Sequence, residues 1–387
     1  MTTLPISVCI IAKNEEAHIE ECLKRIKPYH YEIVLADTGS TDRTLEIAAK
    51  YTDKIYHFEW CNDFSAAKNF CIARASHDWI LNIDCDEYLE SIDEKNLSHL
   101  MGQHPQSAGR ILIRNRITES GAAGDAIAYE NVRVSRFVNR NYFHFVGAVH
   151  EQLERLGDAR HDALSNRAAG IPSADMACSF PQSATPYPLP KTAYLAPISV
   201  LHVGYDGTEE EMRLKALRNI TLLEQELSAS GPDAYLYYQL GQSCMKIKDY
   251  EKAYAWFDAG LSMDIEPALD YVQAMVESYG YCLLNLKRYE EALQLENIYD
   301  TFAVRADFVF LMGLIYMNNG LFDEAIRAFQ KSTSMEQFSL EGVNSYRANY
   351  NIGVIYECTG HLQEARRYYQ KCGQYDMAKW RLKEISK

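Results

Sequence analysis

With 387 residues, the chain is too long for one ordinary core and suits two or three structural units. Hydrophobic residues make up 47% and charged residues 24%, the balance of a globular rather than a disordered protein. Acidic residues outnumber basic ones by 53 to 39, and the net charge of −14 argues against nucleic acid or an anionic membrane as the main partner. The ten cysteines are scattered, with no Cys-x-x-Cys pair, which reads as reduced thiols and a cytoplasmic location. The N-terminus lacks the basic start of a signal peptide, and no apolar run approaches the length of a membrane span.

In chain order, the first ninety residues alternate strand and helix patterns. Strands are predicted at Ile6 to Ala12, Tyr31 to Ala36, Ile55 to Phe58 and Trp79 to Ile83. Helices are predicted over about 15–27, 43–50 and 64–75. Such alternation implies a mainly parallel, doubly wound sheet, in which ligands bind beyond the carboxyl ends of the strands. The second strand runs into Asp37-Thr-Gly-Ser-Thr-Asp42 and the fourth into Asp84-Cys-Asp-Glu87, so both acidic clusters are expected to share one crevice. Residues 108–149 read as β-rich, with strands near 111–114, 132–138 and 143–146. The stretch 156–194, rich in Pro, Ala and Ser, reads as a loop or lid. Ile198 to Val203 resumes as a strand, and Glu209 to Leu227 as a helix within a link spanning 206–230.

Residues 231–387 repeat. Gly241, Gly280, Gly313 and Gly353 are each followed twelve residues later by Ala253, Ala292, Ala325 and Ala365. Each alanine closes a related tetrapeptide, such as Tyr250-Glu-Lys-Ala253 or Phe322-Asp-Glu-Ala325. Small residues at these points let two antiparallel helices approach closely. The pattern resembles tetratricopeptide repeats, which build a concave groove suited to an extended peptide. Such repeats either hold an acceptor or pair two copies of the chain.

The chemistry is concentrated at Asp84-Cys85-Asp86. Two carboxylates at i and i+2 after a buried strand form a hard oxygen site suited to Mg²⁺ or Mn²⁺. Four segments occur in order: Val8 to Glu16, Ala36 to Asp42, Phe64 to Asn69, and Trp79 to Glu87. Together they resemble the family-2 glycosyltransferases, and the resemblance implies a GT-A fold over residues 1–205. It implies that Asp37 meets a uracil, that Ala12, Asn14 and Glu15 line the nucleoside, and that Asp84, Cys85 and Asp86 hold ribose and metal. Similar proteins usually carry Arg at the position of Lys68, and Lys keeps the charge but loses the bidentate fork.

Phe145 to Leu153 contains Val149-His150-Glu151, which resembles a segment of a bacterial subset of the same family. An inverting transferase needs a group to take the acceptor's proton, and Glu151 is the first candidate, with His150 the second. Leu201-His202-Val-Gly-Tyr205 resembles the family's returning His segment, and His202 is a candidate third metal ligand. Arg133 and Arg136 lie three apart on one strand and so face opposite sides; at most one meets the diphosphate. The absence of Gly-x-Gly-x-x-Gly and of a Walker lysine speaks against dehydrogenase and ATPase functions.

The expected reaction is inverting transfer of a hexose or N-acetylhexosamine from a UDP-sugar, with Mn²⁺ or Mg²⁺. Glycopeptide-bacteriocin glycosyltransferases share this domain order, which implies a peptide or protein Cys, Ser or Thr as acceptor. The alternatives are a polysaccharide or lipopolysaccharide transferase, or a repeat-based adaptor with an inactive transferase domain.

Overall fold

The computed structural model describes residues 3–121, 124–149, 151–156, 193–204 and 209–385. Most of the expected lid, as well as His150, lies outside the described residues. An α/β sheet is followed by an array of helices, as the sequence predicts.

The sheet has eight strands: β1 (Ile6–Ala12), β2 (Glu32–Asp37), β3 (Ile55–His57), β4 (Trp79–Asn82), β5 (Glu87–Ile92), β6 (Ala108–Gly121), β7 (Gly124–Asn139) and, after the hairpin β8 (Phe143–Val146) and β9 (Gln152–Arg155), β10 (Ala193–His202). Their order is β3-β2-β1-β4-β7-β6-β10-β5. β1 pairs in parallel with β2 on one side and with β4 on the other. The connection order therefore reverses beside β1, and a crevice opens outside the carboxyl ends of β1, β2 and β4. β7 enters antiparallel to β4 and brings later residues back beside that crevice.

Four helices cover the sheet: α1 (Ile19–Ile26), α2 (Thr44–Ala48), α3 (Phe64–Ile72) and α4 (Glu94–Gln103). α1 buries Ile19, Cys22, Leu23 and Ile26 completely, the spacing of one helical face against the sheet. Asp63 caps α3 by accepting from the Ala66 N–H at 2.9 Å. β5 and α4 have no counterpart among the predicted elements. Only Glu87 and Leu89 of β5 are buried, too short a pattern to stand out.

Between Glu209–Ser230 and the last helix, Asp376–Glu384, the helices pair. Ala234–Lys246 packs on Tyr250–Leu261, Ala306–Asn318 on Phe322–Ser332, and Tyr346–Cys358 on Leu362–Lys371. The repeated alanines are fully buried. A methyl on Gly241, Gly313 or Gly353 would collide with Phe257, Phe329 or Tyr369, each four residues after its alanine. The repeated glycine thus makes room for an aromatic ring from the facing helix. The second pair deviates, because Glu296 occupies that aromatic position. After Tyr289–Ala292 the chain tightens into a 3₁₀ stretch, Leu293–Ile298, which brings Leu295 over Gly280 instead. The first helix of each pair ends in a left-handed residue: Lys248, Lys287, Gly320 and Gly360. Tyr235, Tyr237 and Tyr238 pack on Tyr271, Trp256 and Phe257, so their rings serve the helix interfaces.

The chain forms two compact units. One comprises residues 1–115, 132–205 and 228–230; the other comprises 116–131, 206–227 and 231–387. The tip of the β6–β7 hairpin therefore belongs with the repeats. Asp307 accepts from the N–H groups of Ser339 and Leu340, both at 2.8 Å, and fixes that connection. Its outer edge pairs with the arm: Asn131 N–H donates to Ser339 O at 2.8 Å, and Glu341 N–H to Tyr129 O at 2.9 Å. Among the described residues no helix is long and apolar enough to cross a membrane.

If the glycine–aromatic fit sets helix spacing, Gly241→Leu should cost about 1–3 kcal/mol by overpacking. Lys287→Gly, which relieves a left-handed turn, should be neutral or stabilising by up to about 1 kcal/mol. Urea unfolding followed by circular dichroism reads both; a tolerated Gly241→Leu would show that the spacing is set elsewhere.

Candidate active site

The loops after β1 and β2 are knitted together at the crevice. Asn14 adopts a left-handed conformation, its N–H donates to Ser40 Oγ at 3.0 Å, and its Oδ1 accepts from the Thr41 N–H at 2.8 Å. Glu15 N–H donates to Thr44 Oγ1 at 2.7 Å. Ala12 is buried, with its carbonyl accepting from the Thr38 N–H at 2.9 Å. Asp37 is buried at the end of β2 and accepts from the N–H groups of Gly39 and Ser40 at 3.2 and 3.0 Å. Exposed His57 stands 3.7 Å from its carboxylate. These bonds fix the rim of the crevice before any ligand enters.

Beyond β4 lies an ionic cluster, buried except at Asp84, whose side chain is 35% exposed. Lys68, on α3, is 2% exposed and is ion-paired with Glu151. The same ammonium lies 3.5 Å from Asp84 Oδ1. Arg136, on β7, donates to Asp84 Oδ2 at 3.1 Å and to Asn82 Oδ1 at 3.0 Å, and its guanidinium is 3.7 Å from Glu87. Burial alone would raise the Asp84 pKa, but the attraction of Lys68 and Arg136 outweighs it and holds that carboxyl well below the usual range. Burial raises the Glu87 pKa, and Arg136 only partly counters it. For Arg136, the neighbouring carboxylates overcome burial and hold the guanidinium charged. Arg133 is exposed and makes none of these ion pairs, so of the two arginines it is Arg136 that reaches the acidic cluster.

Asp86 and His202 form a second group. His202 Nδ1 is 2.9 Å from Asn115 Oδ1, and Nε2 is 3.5 Å from Asp86 Oδ2. Burial disfavours a charged imidazole, yet Asp86, Glu87 and Asp84 raise the His202 pKa above its ordinary value. Gly204 makes room here, since a methyl on it would collide with both donors. Among the described residues no three His, Cys, Asp or Glu side chains converge as one metal-holding group. Of the expected trio, Asp84 faces Lys68 and Arg136, while Asp86 and His202 stand beside each other. Two protein donors suffice for Mg²⁺-type ions that take their remaining oxygens from phosphates and water. Cys85, between Asp84 and Asp86 in sequence, turns inward. Its thiol is buried and donates to Ile11 O at 3.4 Å, so only its main chain can face a nucleotide.

Sequence reasoning missed Glu87 and Asn115. Glu87 stands next to the Asp-x-Asp pair but reads as a solvated acid. Asn115 becomes visible only through its strand pairing with His202.

Residues 7–146 match the model of glycosyl transferase family 2, and residues 234–264 and 310–374 match tetratricopeptide-repeat models. The chain carries a family 2 glycosyltransferase domain followed by tetratricopeptide repeats. It is 30% identical over 296 residues to a repeat-containing protein of Synechococcus elongatus, covering 75% of this chain and 66% of that one. It is 32% identical over 172 residues to the lipopolysaccharide core biosynthesis glycosyltransferase LpsC of Rhizobium meliloti, covering 43% and 57%. Similarity to the SPbeta prophage-derived glycosyltransferase SunS of Bacillus subtilis is 24% over 279 residues, covering 72% of this chain and 54% of SunS. The chain thus spans between about half and two-thirds of the length of these three relatives.

Removing the cation between the buried Glu87 and the part-exposed Asp84 should be costly. Arg136→Met is expected to lose about 1–3 kcal/mol of stability, less than a fully buried pair would because solvent reaches Asp84. Adding Glu87→Gln should recover part of that loss, measured by urea unfolding. Absence of any recovery would mean that Glu87 does not depend on Arg136.

Proposed function

We propose that the chain is an inverting glycosyltransferase that moves a hexose or N-acetylhexosamine from a UDP-sugar to a peptide or protein side chain. The observation that carries this reading is the meeting, at the switch point beside β1, of a nucleoside rim (Asn14, Asp37) with the Asp84–Arg136–Lys68–Glu151 cluster, inside a family 2 domain.

In this reading Asp37 and the Asn14–Glu15 loop take the uracil and nucleoside, and Asp84 faces the ribose. Arg136 and Lys68 set positive charge beside the diphosphate. Asp86 and His202 would hold Mn²⁺ or Mg²⁺, which when bound neutralises charge on the leaving diphosphate. Glu151 takes the acceptor's proton. The acceptor heteroatom bonds to the anomeric carbon while the bond from that carbon to the diphosphate breaks and its electron pair leaves with UDP. The charged walls stabilise the oxocarbenium-like transition state where charge develops.

The repeats would hold the acceptor, a reading supported by the similarity to SunS, which extends over most of the chain. A lipopolysaccharide-core acceptor is the second reading, favoured by the similarity to LpsC.

Hydrolysis of a UDP-sugar panel with Mn²⁺ tests the donor side without knowledge of the acceptor. Asp86→Ala should abolish metal-dependent turnover in a folded protein. Glu151→Gln should bind UDP normally but lose turnover by about 10²–10⁴-fold. Normal turnover in Asp86→Ala would remove the metal assignment, and normal turnover in Glu151→Gln would remove the base. No turnover with any donor would favour the adaptor reading.

A further inference from the structure

Asn69 is next to Lys68 on α3, but its amide turns to the main chain of Phe145. Asn69 Nδ2–H donates to Phe145 O at 2.8 Å, and Phe145 N–H donates to Asn69 Oδ1 at 2.9 Å. Because one partner is a main-chain N–H and the other a main-chain carbonyl, the orientation of the amide is fixed. Phe145 lies opposite Leu153 in the two-stranded β8–β9 sheet. The two groups that bond Asn69 lie on the edge of β8 turned away from β9. Asn69 therefore completes an edge that the hairpin alone leaves open.

The segment leaving β8 is gripped twice more. Phe64 N–H, at the start of α3, donates to Ala148 O at 2.9 Å. Lys68 pairs with the Glu151 carboxylate, and its ammonium lies 5.4 Å from the Phe145 ring. One short helix thus holds a neighbouring segment at residues 145, 148 and 151, and the last hold is on the candidate base.

We infer that Asn69 is a positioning residue for the reaction: it sets the seat of the 145–151 segment on α3 and, through it, where the Glu151 carboxylate stands relative to Lys68 and Asp84. The inference rests on the reading of Glu151 as the base. Asn69 touches neither the nucleoside rim nor the Asp86–His202 pair, so its loss should spare donor binding. A displacement of about 1 Å in a reacting group can cost on the order of 10²-fold in rate.

The experiment is a double-mutant cycle on the full chain, with Asn69→Leu, Glu151→Gln and the double variant. It reads hydrolysis of UDP-glucose and UDP-N-acetylglucosamine with Mn²⁺, alongside calorimetric UDP binding. Asn69→Leu should lower kcat by about 10–100-fold with KM and UDP affinity unchanged, and should add nothing in the Glu151→Gln background. UDP affinity falling in step with kcat, or losses that multiply in the double variant, would overturn the positioning role. Full turnover in Glu151→Gln would instead overturn the base assignment on which the inference rests. If Asn69→Leu does not fold, Asn69→Ser, which leaves space for a bridging water, carries the same cycle and the same outcomes.

Discussion

The arrangement of the family 2 domain depends on one largely buried network, open to solvent at Asp84, in which Lys68 and Arg136 stand among Asp84, Glu87 and Glu151. Each charge taken from water carries a desolvation penalty that only its neighbours offset. The five residues come from α3, the end of β4, the start of β5, β7 and the segment after β8. Elements far apart in the chain are therefore fixed against one another by electrostatic necessity. The same network leaves fixed charges at the carboxyl edge of the sheet, where a nucleotide diphosphate would meet them without the reorganisation that water requires.

Much of this was legible in the sequence. The four-strand alternation placed Asp37 and Asp84 at one edge because parallel strands share a direction, and the glycine–alanine spacing marked the helix pairs. Arg133 and Arg136 were separable by strand periodicity alone. What stayed hidden depends on long-range geometry. Lys68 and Arg136, brought in from other elements, meet the two oxygens of Asp84, a pairing that nothing in the sequence announces. Cys85 sits between two carboxylates, yet the alternation of the chain turns its side chain into the core. Asn115 and Asn69 are ordinary polar residues in sequence, and only the pairings with His202 and Phe145 give them a role.

The repeats show the same division. Their pattern was readable, and so was the irregularity of the second pair once Glu296 is seen where the others carry an aromatic ring. The participation of residues 116–131 was not readable, because nothing in the arm's sequence announces a strand partner some two hundred residues later. That partner exists because Asp307 takes the N–H groups of Ser339 and Leu340 and leaves the other edge of this connection available to the arm.

Helical arrays of this kind ordinarily vary freely in repeat number between relatives, since each pair touches only its neighbours. Here the arm ends on the connection between the third and fourth pairs. Loss of a pair before that connection would leave the arm without its edge, whereas gain or loss after it would not. Pairs added or lost after Glu341 should accordingly leave the arm's partner in place.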